Sequence, residues 1–309
     1  MEGYFFWGPK ITKPTFSKPA LSIDEQLQKL VDRGLHVENS ADARLHLNTL
    51  NYYRLAAYWL GMEAEHSSHH FAQGASFERA VDLYIFDREF RLLLLDAIER
   101  VEVAVRTQYA YQLGQKYGSH PHLRPSLFKA KWNYAVNRLS LENDAQRSKE
   151  NFIRHLLQHY AEPVPPIWAT VEIMTLGQLS KWYANLNKSH DRNDIARYFD
   201  FDERQFVSFL HHLSTVRNLC AHHSRVWNRD FTFTFQLPRH RPKELAKAIN
   251  SREPKRIYNT LSALAFLMDR ICPRHQWKTR LKELMAKHTI NEKDMGFADD
   301  WQITALWNG

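Results

Sequence analysis

The chain has little glycine and almost no cysteine: ten glycines and two cysteines in 309 residues. So few glycines argue against a turn-rich sheet protein, and the abundance of Leu, Ala, Arg and Glu favours helices. Cys220 and Cys272 are too few for a disulfide framework, which suits a reducing cytosol. No apolar run approaches the roughly 18 residues a membrane helix needs. The opening MEGYFFWGPKITKP lacks the basic and apolar regions of a secretory signal, so the expectation is a cytoplasmic protein that does not enter a membrane. There is also no internal repeat, no GxGxxG and no Walker-type loop, so nucleotide-dependent chemistry finds no support.

A net charge of +8 with neutral histidines, and seventeen histidines besides, makes a polyanion a reasonable partner. Charge alone is a weak argument, because many basic proteins bind nothing acidic. Close prolines, Pro9, Pro14 and Pro19, predict an extended arm over residues 1–20. Ser22 and Glu25 form a capping box for a helix with Ile23, Leu27, Leu30 and Val31 on its apolar side, ending near Gly34. A second helix starts at Ser40 and runs through Leu45, Leu47 and Leu50, before the aromatic stretch NYYRLAAYWLGM. Its Tyr52, Tyr53, Leu55, Tyr58 and Trp59 look too aromatic for an exposed segment; Tyr53 and Arg54 are alternatively candidates to stack and pair with RNA. Residues 63–76, with His66, His69 and His70, read as a loop whose histidines are solvated.

Over residues 77–113, Phe86, Phe90, Leu94, Ile98, Val101 and Val105 repeat at helical spacing and predict a long core helix. Asp87 with Arg91, and Glu102 with Arg106, stand four apart, the spacing of surface pairs. Residues 114–166 form an insert with a polar helix from about 128 to 160, whose basic bias (Lys129, Lys131, Arg138, Arg147) is diluted by Glu142 and Asp144. In VPPIWATVEIMTLGQLSKWYANL, Pro166 starts a helix, Gly177 interrupts it, and Trp168 and Trp182 are expected inside. FTFTFQLPRHRP at 231–242 is the one good strand signal, or an extended loop. A helix pair follows, the first carrying Tyr258, Leu261, Leu264, Leu267 and Met268, the second running from Trp277 to Ala286. A tail with Trp301 and Trp307 is expected to dock as an aromatic clasp. The predicted organisation is an arm and small helical region (1–75), an all-α bundle (76–290, with the insert), and the tail (291–309).

The chemistry concentrates in VSFLHHLSTVRNLCAHHSRVWNRD, residues 207–230, read as one helix and the turn that ends it. At about 100° per residue, Phe209, Leu213, Val216, Cys220 and Trp227 share one side, and Asn218, His222, Arg225 and Arg229 fall opposite. Arg217 stands at the edge of that arc. An arginine fork binds phosphate without losing its charge, and histidine exchanges a proton near neutral pH. Together they suit cleavage of an RNA phosphodiester, where the 2′-hydroxyl is the nucleophile and no metal or other cofactor is required. The spacing alone equally fits solvated arginines and histidines capping a helix end. A metal-dependent hydrolase using His211, His212, Cys220, His222 and His223 is a further alternative, weakened by their spread around the helix and the lack of a nearby acid.

RNLCAHHSRVWN resembles the Arg-x-x-x-x-His signature of HEPN-domain ribonucleases, and in particular the RNxxAHHxRxWN form of the Abi family of abortive-infection proteins, the AbiD/AbiF-like group. LNYYRLAAYW, FDREFRLLLLDAIERVEVAVR and the 164–186 string resemble the same family. The resemblance implies a HEPN-type endoribonuclease in which Arg217 binds the scissile phosphate, His222 is general acid or base, and Asn218, His223 and Arg225 support them. It further implies that the long helix packs beside the motif, so that Glu102 and Arg106 orient Arg217 or line an RNA cleft, with Arg225 and Arg229 on the RNA. The implied partners are RNA, tRNA among them, a second copy of the chain in a homodimer, and an antitoxin protein or RNA; the implied role is phage defence or toxicity. A non-catalytic RNA-binding protein using the same basic cleft is the competing reading.

Overall fold

The computed structural model describes residues 15–308. Of the expected arm, Pro9 and Pro14 lie outside the described residues, while residues 15–22 have no regular structure. The fold is all-α, with thirteen α-helices and a single two-stranded ribbon among the described residues. The chain divides into two compact units at Tyr84/Ile85. No described helix is long and apolar enough to cross a membrane.

The N-terminal unit begins with α1 (Ile23–Asp32), capped as expected by Ser22 and Glu25 and ended before Gly34, whose φ of +88° a side chain would resist. It packs on α2 (Ser40–Thr49), where Leu47 is buried and Leu45 is exposed. Next, α3 (Tyr52–Trp59) is capped by Asn51, which sets its start and hence its faces. Leu55, Tyr58 and Trp59 turn inward, and Tyr53, on the opposite side of the helix from Leu55, is 79% exposed. The segment is therefore not uniformly core. Strands β1 (Glu63–Glu65) and β2 (His70–Phe71) pair antiparallel across a bulge where a loop is expected, and Glu63 accepts from His66 Nδ1 at 2.7 Å.

α4 (Phe77–Tyr117) continues into the C-terminal unit, its stripe from Phe86 to Val105 fully buried. It runs past the expected end because Gly114 stays helical, in a position where a Cβ would touch Ile167 and Trp168 at 3.7 and 3.9 Å. The insert holds two helices in place of one, α5 (Tyr134–Arg147) and α6 (Asn151–His159), broken at residues 148–150. α7 (Ile167–Ile173) is followed by α8 (Leu176–Ala184), and the interruption falls at the Thr175/Gln178 capping box rather than at Gly177. Trp182 is buried as expected, whereas Trp168 is 56% exposed.

α9 (Ser189–Tyr198) and α8 both pack against α10 (Glu203–Ala221). Residues 231–242 form no strand: Phe231 and Phe235 turn inward, and the loop is tied down by Phe231 N–H donating to Lys255 O at 2.9 Å. After the short α11 (Lys243–Ala248) comes α12 (Tyr258–Ile271), buried on every side from Tyr258 to Met268, so it is a central helix rather than a one-sided stripe. Its buried Asn259 is satisfied internally, exchanging two hydrogen bonds with the Asn250 backbone, at 2.8 and 2.9 Å. α13 (Trp277–Lys287) packs against it, and Trp277 Nε1 donates to Leu93 O of α4 at 2.8 Å. Trp301 and Trp307 are buried in the docked tail, Trp307 stacking near Tyr258.

Candidate active site

α10 presents two faces. Phe206, Phe209, Leu210, Leu213, Val216 and Cys220 are buried, and they anchor the helix against its neighbours; Asn218 and His222 are exposed. Arg217 is half-buried, and its Nη1 donates to Asn218 Oδ1 at 3.3 Å. His222 is the C-cap, with its N–H on Asn218 O at 2.9 Å. The helix ends without glycine or proline, because His223 adopts a left-handed conformation (φ +57°) that closes a Schellman turn. Its N–H bonds Cys220 O at 3.1 Å, and Ser224 N–H bonds Leu219 O at 2.9 Å.

This turn corrects the helical arithmetic beyond His222. Arg225, Trp227 and Arg229 are not on the helix, so their angular positions follow a loop instead. Arg225 and Arg229 are half-buried, with Arg229 Nη1 donating to the Arg225 carbonyl at 3.3 Å. Trp227 is buried, though by loop packing and not by helix register.

α4 supplies what holds this loop. Asp87 and Arg91, expected as a surface pair, are both buried and bonded to one another. The Asp87 carboxylate also accepts from Val226 N at 3.1 Å and Trp227 N at 2.7 Å, thereby fixing the chain four residues past His222. On the far side of Trp227, Asn228 (φ +46°) accepts from Arg256 Nη1 at 2.7 Å, and Arg256 also pairs with Asp230 at 3.2 Å. Asp87, Arg91, Asn228 and Arg256 are thus the positioning residues that sequence reasoning missed. For Asp87 and Arg91 the i, i+4 spacing was visible, but it does not separate a buried pair from an exposed one.

Glu102 of α4 lies within electrostatic range of Arg217, and Arg106 pairs with Glu102. Arg106 Nη2 reaches both Glu102 Oε1 and Met174 O, the latter at 2.7 Å, and Nη1 stands 3.9 Å from Glu172. Burial pushes the Glu102 carboxyl above its ordinary range, against the pull of the Arg106 and Arg217 guanidinium groups. A half-buried arginine and a half-buried carboxylate therefore stand within electrostatic range of one another.

The metal-site alternative fares differently. His212 is buried, its Nδ1–H donating to Phe233 O at 3.0 Å and its Nε2 accepting from Thr260 Oγ1 at 2.8 Å, so both nitrogens are committed. Burial pushes its pKa down to about 4, and it pushes the Cys220 thiol up to about 12, far from a ready thiolate ligand. Among the described residues no group of three or more His, Cys, Asp or Glu is placed to hold a metal ion. His223 is exposed beside His222, while Tyr53 and Arg54 belong to the N-terminal unit.

The fold and site define an all-α protein that carries an Arg, Asn and His cluster at the solvent-facing end of a core-anchored helix. The chain belongs to the Abi-like protein family, whose signature matches residues 45–228, more than half its length. That span covers Asp87, Glu102 and the whole of the Arg217–Asn228 motif. No curated protein and no solved structure matches the chain.

Proposed function

We propose that the protein is a metal-independent endoribonuclease of the HEPN type. The Abi-like family suggests abortive-infection defence against phage, and RNA cleavage that arrests an infected cell fits that role. The observation that carries the reading is the cluster itself: exposed His222 and Asn218, with Arg217 bonded to Asn218 and within electrostatic range of the half-buried Glu102. In this reading His222 takes the proton of the 2′-hydroxyl, or gives one to the departing 5′-oxygen, while Arg217 stabilises the charge that grows on the non-bridging phosphoryl oxygens. The C-terminal end of a helix carries partial negative charge and so repels phosphate; Arg217, Arg225 and Arg229 offset this. RNA, including tRNA, is the substrate class, and a toxin of this kind needs an antitoxin, protein or RNA, to hold it silent.

One motif supplies one principal histidine, whereas in-line cleavage benefits from separate groups on the entering and leaving oxygens. We assign the second set to a second copy in a homodimer. Val103 and Tyr111 of α4 and Trp168 of α7 are exposed apolar side chains suited to such a contact.

Incubating the purified protein with total RNA in EDTA and sequencing fragment ends tests the chemistry. The expected ends are 2′,3′-cyclic or 3′-phosphates with 5′-hydroxyls; 5′-phosphates, or dependence on a divalent ion, would rule the mechanism out. Mixing Arg217→Ala with His222→Ala chains should restore part of the activity if the site is built from two copies. Cleavage by a sedimenting monomer would sink the dimer.

A further inference from the structure

The N-terminal unit holds a groove of about 730 Å³, lined by residues of the 16–29 segment, by Leu47, and by Asn51, Tyr52 and Tyr53. Ligand sites typically span roughly 300–1,000 Å³. Its aromatic lining is open: Phe16 is 78% and Tyr53 79% exposed, and among the described residues Tyr53 makes one ring contact, edge-on to Tyr52 at 5.8 Å. Among the described residues no acidic one lines the groove, whereas Lys18 and Lys29 do, and neither makes an ion pair among the described residues, so two positive charges lie at an aromatic surface. Asn51 Oδ1 accepts the Tyr53 backbone amide at 2.9 Å, which sets the start of α3 and hence the side of the helix that carries Tyr53.

We infer that this groove binds an unpaired nucleotide of a single-stranded RNA, a deepening that rests on RNA being the ligand in the reading above. A base stacks on the Tyr53 or Phe16 ring, the Asn51 amide donates to its edge, and the lysines take the flanking phosphates. The alternative occupant, an apolar helix of a partner protein, wants a continuous hydrophobic stripe, and here Lys18, Gln26, Lys29 and Asn51 interrupt it. Duplex RNA is the wrong shape, because its bases are stacked on one another and offer no face to a side chain. The groove thus selects unpaired loops or ends.

The test uses the full chain carrying His222→Ala, so that probes stay intact, with a short oligouridine and a blunt RNA duplex of equal length as ligands. Adding Tyr53→Ala should weaken oligouridine binding by about 5- to 150-fold, the usual range for one lost stacking platform. Tyr53→Phe should bind nearly as the parent does, and the melting temperature should stay put in both, because the ring is exposed. Lys18→Ala with Lys29→Ala should lower affinity and flatten its salt dependence. Unchanged oligouridine affinity in Tyr53→Ala, or equal affinity for the duplex, overturns the proposal, as does cross-linking of thiouridine-substituted oligouridine to the C-terminal unit alone. The nuclease reading is scored separately, by cleavage in the chain with His222 intact. RNA cut normally by Tyr53→Ala with unchanged affinity rejects the groove alone, whereas Tyr53-dependent binding without cleavage rejects the nuclease alone.

Discussion

Two histidines on one helix behave as different residues. His212, in the buried middle of α10, has both ring nitrogens bonded inside the fold, between the 231–236 loop and α12. His222, at the helix end, is exposed beside Arg217 and Asn218. The first is a structural strut that burial keeps neutral; the second stands in water at the end of the helix. Residue type says little about which is which, and the side of the helix and the packing behind it say nearly everything.

The strongest way to break this contrast is to remove each histidine in turn. His222→Ala should cost about a hundredfold to ten-thousandfold in RNA cleavage and change unfolding free energy by less than about 0.5 kcal/mol. His212→Ala should do the reverse, lowering stability in urea by about 1–3 kcal/mol as Thr260 and the Phe233 carbonyl lose their partner. If His222→Ala melts the protein or cuts at full rate, the two residues have been misjudged.

Next in size comes the carboxylate that fixes the loop beyond the exposed histidine. Asp87→Ala leaves Arg91 buried and unpaired, along with the amides of Val226 and Trp227. A loss of about 3–5 kcal/mol is expected, read from denaturation midpoints. A well-folded Asp87→Ala protein with normal cleavage would show that the loop holds itself.

A third test sharpens the contrast by pH. His212 has a folded pKa of about 4, below the ordinary value of 6.5, so its neutral form is the stabilising one. Its contribution is whole above pH 6.5 and is lost as pH falls toward 4, on the order of 3 kcal/mol. Burial, helped by His120, drives His122 down to about 3, so it adds to the same acid slope. His212→Phe should flatten stability against pH between 6.5 and 4; an unchanged slope would place the titration elsewhere.

Much of this was legible beforehand where one-dimensional periodicity decides structure. The Ser22/Glu25 cap, the Phe86–Val105 stripe and the α10 core face all follow from spacing. The family motif also marked Arg217, Asn218 and His222. What periodicity misses is contact between distant segments. Nothing local says that His223 turns left-handed, or that Asp87 faces two amides some 140 residues on rather than solvent. Trp168 and Tyr53 were misplaced for a related reason: aromatic rings usually go inside, and only the actual helix start decides which of several neighbours does.

The grip of Asp87 on Val226 and Trp227 has a consequence for how the chain tolerates change. Surface loops ordinarily accept added or deleted residues, but the stretch from His223 to Val226 is measured between a helix end and a buried carboxylate. Its solvent-facing side chains, unlike the buried Val226, can be exchanged more freely than its length can. One residue inserted there puts a different pair of amides before Asp87 and moves Arg225 relative to His222. In this segment chain length, more than composition, is the quantity the fold protects.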